Sequence, residues 1–155
     1  MSLEPGLTAR VTEVVVRGLT AQSMASGDVA GLATSAMVRL MEAAAVKALE
    51  GRLTPDMTSV GTRVEVTHAA PTPVGMEVVA QATLVEIEGR LLVFSVTAED
   101  HAGVIGKGTH HRVIVGRAGF TERLESRWAG GASGTLRDGN DDRARPGLLG
   151  DSPGG

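Results

Sequence analysis

The chain has 155 residues and a formal net charge of −3, a length that suits one domain able to bury about two-thirds of the surface its unfolded form exposes. It contains no Cys, which excludes disulfides, thiolate nucleophiles and thiolate metal sites, and with no Tyr, one Trp and two Phe its core must be aliphatic. Scattered basic residues argue against nucleic acid, no apolar run approaches the roughly 20 residues of a membrane span, and MSLEPGLTAR has no apolar stretch of the secretory kind, so a cytoplasmic protein is expected.

Ala9 to Arg17 (ARVTEVVVR) is rich in β-branched residues and predicts a first strand. Thr20 to Gly31 (TAQSMASGDVAG) is small and polar and predicts a loop. Ala33 to Leu49 (ATSAMVRLMEAAAVKAL) is built of helix formers, and Gly51 follows as a stop. At about 100° per residue, Arg39, Lys47 and Glu50 fall in one sector that can face water. The rest of this helix is apolar nearly all round, which implies burial, and Glu42 lies at the border of the apolar surface.

Ser59 to Ala70 (SVGTRVEVTHAA) alternates strictly. Val60, Thr62, Val64, Val66 and His68 share one face, expected to meet the core, and Pro71 and Pro73 end the strand. Met76 to Glu88, Leu91 to Glu99 and Val104 to Val115 predict three more strands. Glu88-Gly89-Arg90 and His101-Ala102-Gly103 are short enough to be hairpin turns between them. From Thr121 onward the composition shifts: eight of the last 35 residues are Gly. Residues 1–120 therefore read as the domain and 121–155 as a tail expected to be disordered. Strand, loop, long buried helix and four strands describe an α+β hot-dog fold, a curved antiparallel sheet wrapped around one helix. An exposed edge strand and an uncovered helix face predict a homodimer.

Three polar residues interrupt the expected core: Thr34 at the helix entrance, Glu42 on the helix border and His68 at the end of an inward row. A hydroxyl, a carboxylate and an imidazole together can activate water and stabilise the resulting intermediate. Each also has a plainer reading. Thr34 suits an N-cap, Glu42 can pair with Arg39 or stay wet, and His68 can be a satisfied histidine ahead of a proline turn. Thr34 and Glu42 would stand about 12 Å apart along a helix axis, so contact needs Thr34 in the bend before the first turn, or a bridging water. In GKGTHHR, His110 and Arg112 share a face while His111 takes the other, a poor arrangement for a metal. Gly106-Lys107-Gly108 precedes a strand, so it is no dinucleotide loop; it reads as a flexible strand start or a place where a phosphate or pantetheine chain approaches backbone.

Thr34 and Glu42 in ATSAMVRLMEAAAVKAL, Gly61 and His68 in SVGTRVEVTHAAPTPVG, and Arg112 in GKGTHHRVIV together resemble the fluoroacetyl-CoA thioesterase family, hot-dog enzymes that hydrolyse acyl-CoA. The resemblance runs from about residue 30 to 116. It implies a catalytic group at Thr34, Glu42 and His68. Gly61 would supply a backbone contact near the thioester carbonyl, and Arg112 would orient the site or the CoA portion. It implies no metal or redox cofactor, CoA entering as part of the substrate, and a cleft near the dimer interface. The fluoroacetyl-specific enzyme carries an aromatic lid ahead of the catalytic helix; here the matching stretch is GLTAQSMASGDVAGLA, and no aromatic residue precedes Phe94. The expected function is thus hydrolysis of a small acyl-CoA thioester without an implied preference for a fluorinated acyl group. The rivals are a non-catalytic acyl-CoA or small-ligand binding module and an enoyl-CoA hydratase.

Overall fold

The computed structural model describes residues 2–130. Its elements follow in the order β1 (Thr8–Val14), α1 (Thr34–Ala48), β2 (Met57–His68), β3 (Glu77–Glu88), β4 (Leu91–Asp100), β5 (Gly103–Gly116) and α2 (Arg117–Gly130), with a short 3-10 turn at Arg17–Leu19. The predicted strands and helix all form, with ends moved by a few residues. Both expected hairpin turns close the meander, Gly89-Arg90 between β3 and β4 and His101-Ala102 between β4 and β5.

The sheet order is β1-β3-β4-β5-β2. β3 lies antiparallel to β1 and β4, and β4 to β5. Contacts from β2 to β5 run in opposite sequence directions, Ser59 to Arg112, Arg63 to His110, then Ala69 to Ile105, so this pair is antiparallel too. β1 and β2 are therefore the edges.

Period-two alternation turns Val78, Ala80, Ala82 and Leu84 of β3, and Leu92, Phe94, Val96 and Ala98 of β4, onto α1, all with no exposed surface. The helix answers with Ala36, Met37, Leu40, Met41, Ala44, Ala45 and Ala48. So many alanines on both sides let the helix lie close to the sheet, and the aliphatic core needs only Phe94 as its aromatic. Arg39 and Lys47 sit outside, as expected: Arg39 pairs with Glu13 at 2.8 Å, and Lys47 donates to the Arg10 carbonyl at 3.0 Å. Gly51, at φ +71°, takes the left-handed conformation that ends the helix.

Three expectations need correction. The face of β2 expected to meet the core does so only in part: no residue of this edge strand is fully buried, and Val64 is 37% exposed. The glycines of GKG are not a loose strand start but lie within β5. A side chain at Gly106 would strike the Met37 sulfur, and one at Gly108 the Glu65 carbonyl, so they allow β2 and α1 to approach β5 closely. Finally, α2 continues through residues 121–130, which the composition had assigned to the tail. Its helix formers outweigh the lone interior Gly119, and Thr121 donates back to the Arg117 carbonyl at 2.9 Å. Residues 131–155 of the expected tail lie outside the described residues. Residues 2–115 and 116–130 belong to separate compact units.

Candidate active site

Thr34 is the first residue of α1 rather than its cap. Ala33 occupies the N-cap position with extended backbone, and no side chain caps the helix there. The Thr34 hydroxyl is engaged elsewhere, 2.8 Å from His68 Nδ1 at the end of β2. The capping reading therefore fails for a specific reason: the oxygen that would have bonded a backbone N–H bonds an imidazole. The other ring nitrogen, His68 Nε2, is buried and has no hydrogen-bond partner among the described residues. Beside this pair lies a cavity of about 360 Å³, walled by small and aliphatic side chains such as Ala21, Val29, Leu32 and Ala70.

Glu42 stands two helical turns further on and faces a different group. It does not pair with Arg39, which is taken by Glu13. Its Oε2 lies 3.9 Å from Arg112 Nη1 and 4.0 Å from His110 Nε2, distances that leave room for electrostatic attraction but not direct hydrogen bonds. Its side chain keeps 42% of its surface exposed, so water reaches the carboxylate. Gly61 supplies the space. A Cβ there would sit 2.9 Å from Glu42 Oε2, 3.2 Å from His110 Cε1 and 3.4 Å from Arg112 Nη1. Gly61 thus allows close approach of the carboxylate to β2.

Arg112 is almost fully buried, and burial holds its guanidinium below the usual arginine range while Glu42 partly offsets that shift. Its Nε donates to Ser59 Oγ at 2.8 Å and its Nη2 to the Ser59 carbonyl at 3.0 Å. His110 completes the group, 3.1 Å from Arg112 Nη1. The structure therefore sorts the five sequence-predicted residues into two clusters, Thr34 with His68, and Glu42 with Gly61 and Arg112. Sequence reasoning missed Ser59 and His110. The signal for His110 was its shared strand face with Arg112; Ser59 had none, because only the pairing of β2 with β5 sets it beside Arg112.

Since the atom nearest the added methyl is the mobile end of Glu42, Gly61→Ala should displace the carboxylate rather than unfold the chain. The expected result is about a tenfold or larger fall in turnover with Tm little changed. Steady-state kinetics beside a melting curve would check it.

The family model for FlK, the fluoroacetyl-CoA-specific thioesterase, matches residues 15–118. The chain is 40% identical over 99 residues to the fluoroacetyl-CoA thioesterase of Streptantibioticus cattleyicolor, a match that covers 64% of this chain and 71% of that protein. Among solved structures, that of a fluoroacetyl-CoA thioesterase superposes with TM-score 0.76 at 34% identity, covering 82% of this chain and 98% of the other. A thioesterase superfamily member from Thermus thermophilus gives TM-score 0.74 at 30% identity, covering 82% and 96%. A hot-dog-like protein from Thermanaerovibrio acidaminovorans gives 0.74 at 28%, covering 79% and 91%. The hot-dog architecture expected from the element order is borne out.

Proposed function

The chain belongs to the fluoroacetyl-CoA-specific thioesterase family and is a thioester hydrolase, and from that premise we propose how its residues carry out hydrolysis of a small acyl-CoA. The observation that carries the reading is the bond between Thr34 and His68 beside an apolar cavity, with the second imidazole nitrogen buried and unpartnered. An imidazole held through one nitrogen and open at the other suits proton transfer to or from a reacting group. The acyl group lies in the cavity, whose aliphatic walls fit a short alkyl chain.

Glu42 provides the charge. Held beside the Arg112 guanidinium and reached by water, its carboxylate takes a proton from the attacking water, or itself attacks the carbonyl carbon. The C–S bond then breaks and the CoA sulfur leaves as thiolate, the proton taken up by Glu42 passing through His68 to the sulfur. In the covalent alternative the acyl group stays on Glu42 as an anhydride, which water then hydrolyses to release the acid and restore the carboxylate. Gly61 keeps the path to the carbonyl open, and Arg112 orients Glu42. The chemistry calls for no metal or redox cofactor.

The two clusters stand apart within one chain, and this separation supports a homodimer as the working form. Among the described residues β2 is an edge whose outer side has no strand, Val64 lies mid-strand and exposed, and Val46 on α1 is also exposed. Antiparallel pairing of two β2 strands about a two-fold near Val64 brings the Gly61 end of one beside the His68 end of the other. Glu42 then serves with the partner subunit's Thr34 and His68. We propose a cytoplasmic enzyme; among the described residues no helix is long and apolar enough to cross a membrane.

Release of free thiol from a panel of short acyl-CoAs tests the reading directly. The purified protein should liberate CoA from several saturated acyl thioesters. Binding across the panel with no thiol release would favour the ligand-binding module, and loss of enoyl absorbance without thiol release would favour the hydratase.

A further inference from the structure

One fully buried imidazole has no part in the reaction so far described. His110 projects from β5 with no exposed surface, its ring centroid 6.4 Å from that of Phe94. Its two nitrogens meet partners of opposite character. Nδ1 lies 2.9 Å from the Arg63 carbonyl, which can only accept, so Nδ1 carries the hydrogen. Nε2 lies 3.1 Å from Arg112 Nη1, which can only donate, so Nε2 offers its lone pair. Both contacts require the same neutral tautomer. On its other side Arg112 is held by Ser59 through Oγ and the main-chain carbonyl. Three acceptors thus grip the guanidinium and fix its rotation about the Cδ–Nε bond.

We propose that His110, as the neutral Nδ1–H tautomer and together with Ser59, is a positioning residue that holds Arg112 Nη1 toward Glu42. The inference rests on the reading that Glu42 does the chemistry, and adds what keeps its counter-charge in place. Protonation would abolish the effect, because an Nε2–H would point a second donor at a cation. The surroundings oppose that event. Burial pushes His110 below the ordinary imidazole range, and Arg112 and His111 on β5 push the same way. The Arg63 carbonyl on β2 and Glu42 on α1 pull in the other direction. The Arg63 side chain is turned to Glu65, 2.7 Å away. The clamp therefore stays intact below the pH at which a solvent-exposed histidine gains its charge.

The test uses His110→Leu, which fills the site without an acceptor, and His110→Gln, whose side-chain carbonyl can take the place of Nε2. His110→Leu should lower kcat by about tenfold or more with KM changed less than about threefold, and His110→Gln should recover much of the loss. A folded His110→Leu protein with wild-type kcat would overturn the inference, as would His110→Gln no better than His110→Leu. If neither variant folds, the wild-type protein decides. Nitrogen-15 NMR of its histidines should find one ring in the neutral Nδ1–H form across the pH range of activity; a charged ring or the Nε2–H tautomer there would overturn the proposal. Failure of the underlying reading looks different, since Glu42→Gln would then leave turnover intact.

Discussion

Mixing the Glu42→Gln and His68→Ala proteins under conditions that exchange subunits should restore turnover that neither has alone. The expectation follows from the distribution of the site within one chain. Thr34 and His68 bond each other at one end of β2, while Glu42 faces Gly61 and Arg112 seven residues away along that strand. If each working site takes Glu42 from one subunit and Thr34–His68 from the other, a heterodimer of the two variants has one site with both defects and one with none. Random reassortment makes half of the dimers heterodimers, so the mixture should reach about a quarter of wild-type activity per subunit. A site built within one chain would carry exactly one defect in every copy, and mixing would recover nothing. The measurement is CoA release before and after subunit exchange, with light scattering to follow the dimer. A stable monomer at micromolar concentration would remove the composite site outright.

The elements were legible because their signals are local. Alternation in SVGTRVEVTHAA, the glycines closing two hairpins and the helix formers between Thr34 and Ala48 each act within a few residues, and each predicted element formed. The errors lie where distant segments compete for one group. Thr34 has the chemistry of an N-cap, but His68, 34 residues on, takes its hydroxyl. Gly106 and Gly108 look like a flexible stretch until β2 and Met37 are packed against them. Val64 reads as core because its strand alternates, yet an edge strand of a single chain has only part of a core to face. In the site, residue identities were legible from a family pattern while their grouping was not. The roughly 12 Å between Thr34 and Glu42 along a helix is visible in the sequence spacing. That Thr34 begins α1 and so cannot bend back toward Glu42 is not, and neither is the grip of Ser59 and His110 on Arg112.

Glu42→Gln should cost about a hundredfold or more in kcat while leaving the fold in place. The stability side of this expectation comes from geometry. The Glu42 side chain is 42% exposed and its carboxylate stands 3.9 Å from Arg112 without a direct hydrogen bond, an arrangement worth about 0–1 kcal/mol. Arg112 keeps its bonds to Ser59 and His110 when the charge is removed, so no buried donor is stranded. The amide also fills the same volume beside Gly61. Tm should therefore move little. The activity side comes from chemistry, since an amide can neither accept the proton of an attacking water at neutral pH nor attack a thioester as a carboxylate does. His68→Ala should lose a comparable amount, because it removes the group that returns a proton to the departing sulfur. The double variant should fall little below the worse single one, since both residues serve the same step and the second loss acts on a path already closed. Fully additive losses would assign the two residues to separate steps. Near-wild-type kcat in a folded Glu42→Gln protein would reduce Glu42 to a solvated anion at the mouth of the site, and Gly61, Arg112 and their supports to packing around it.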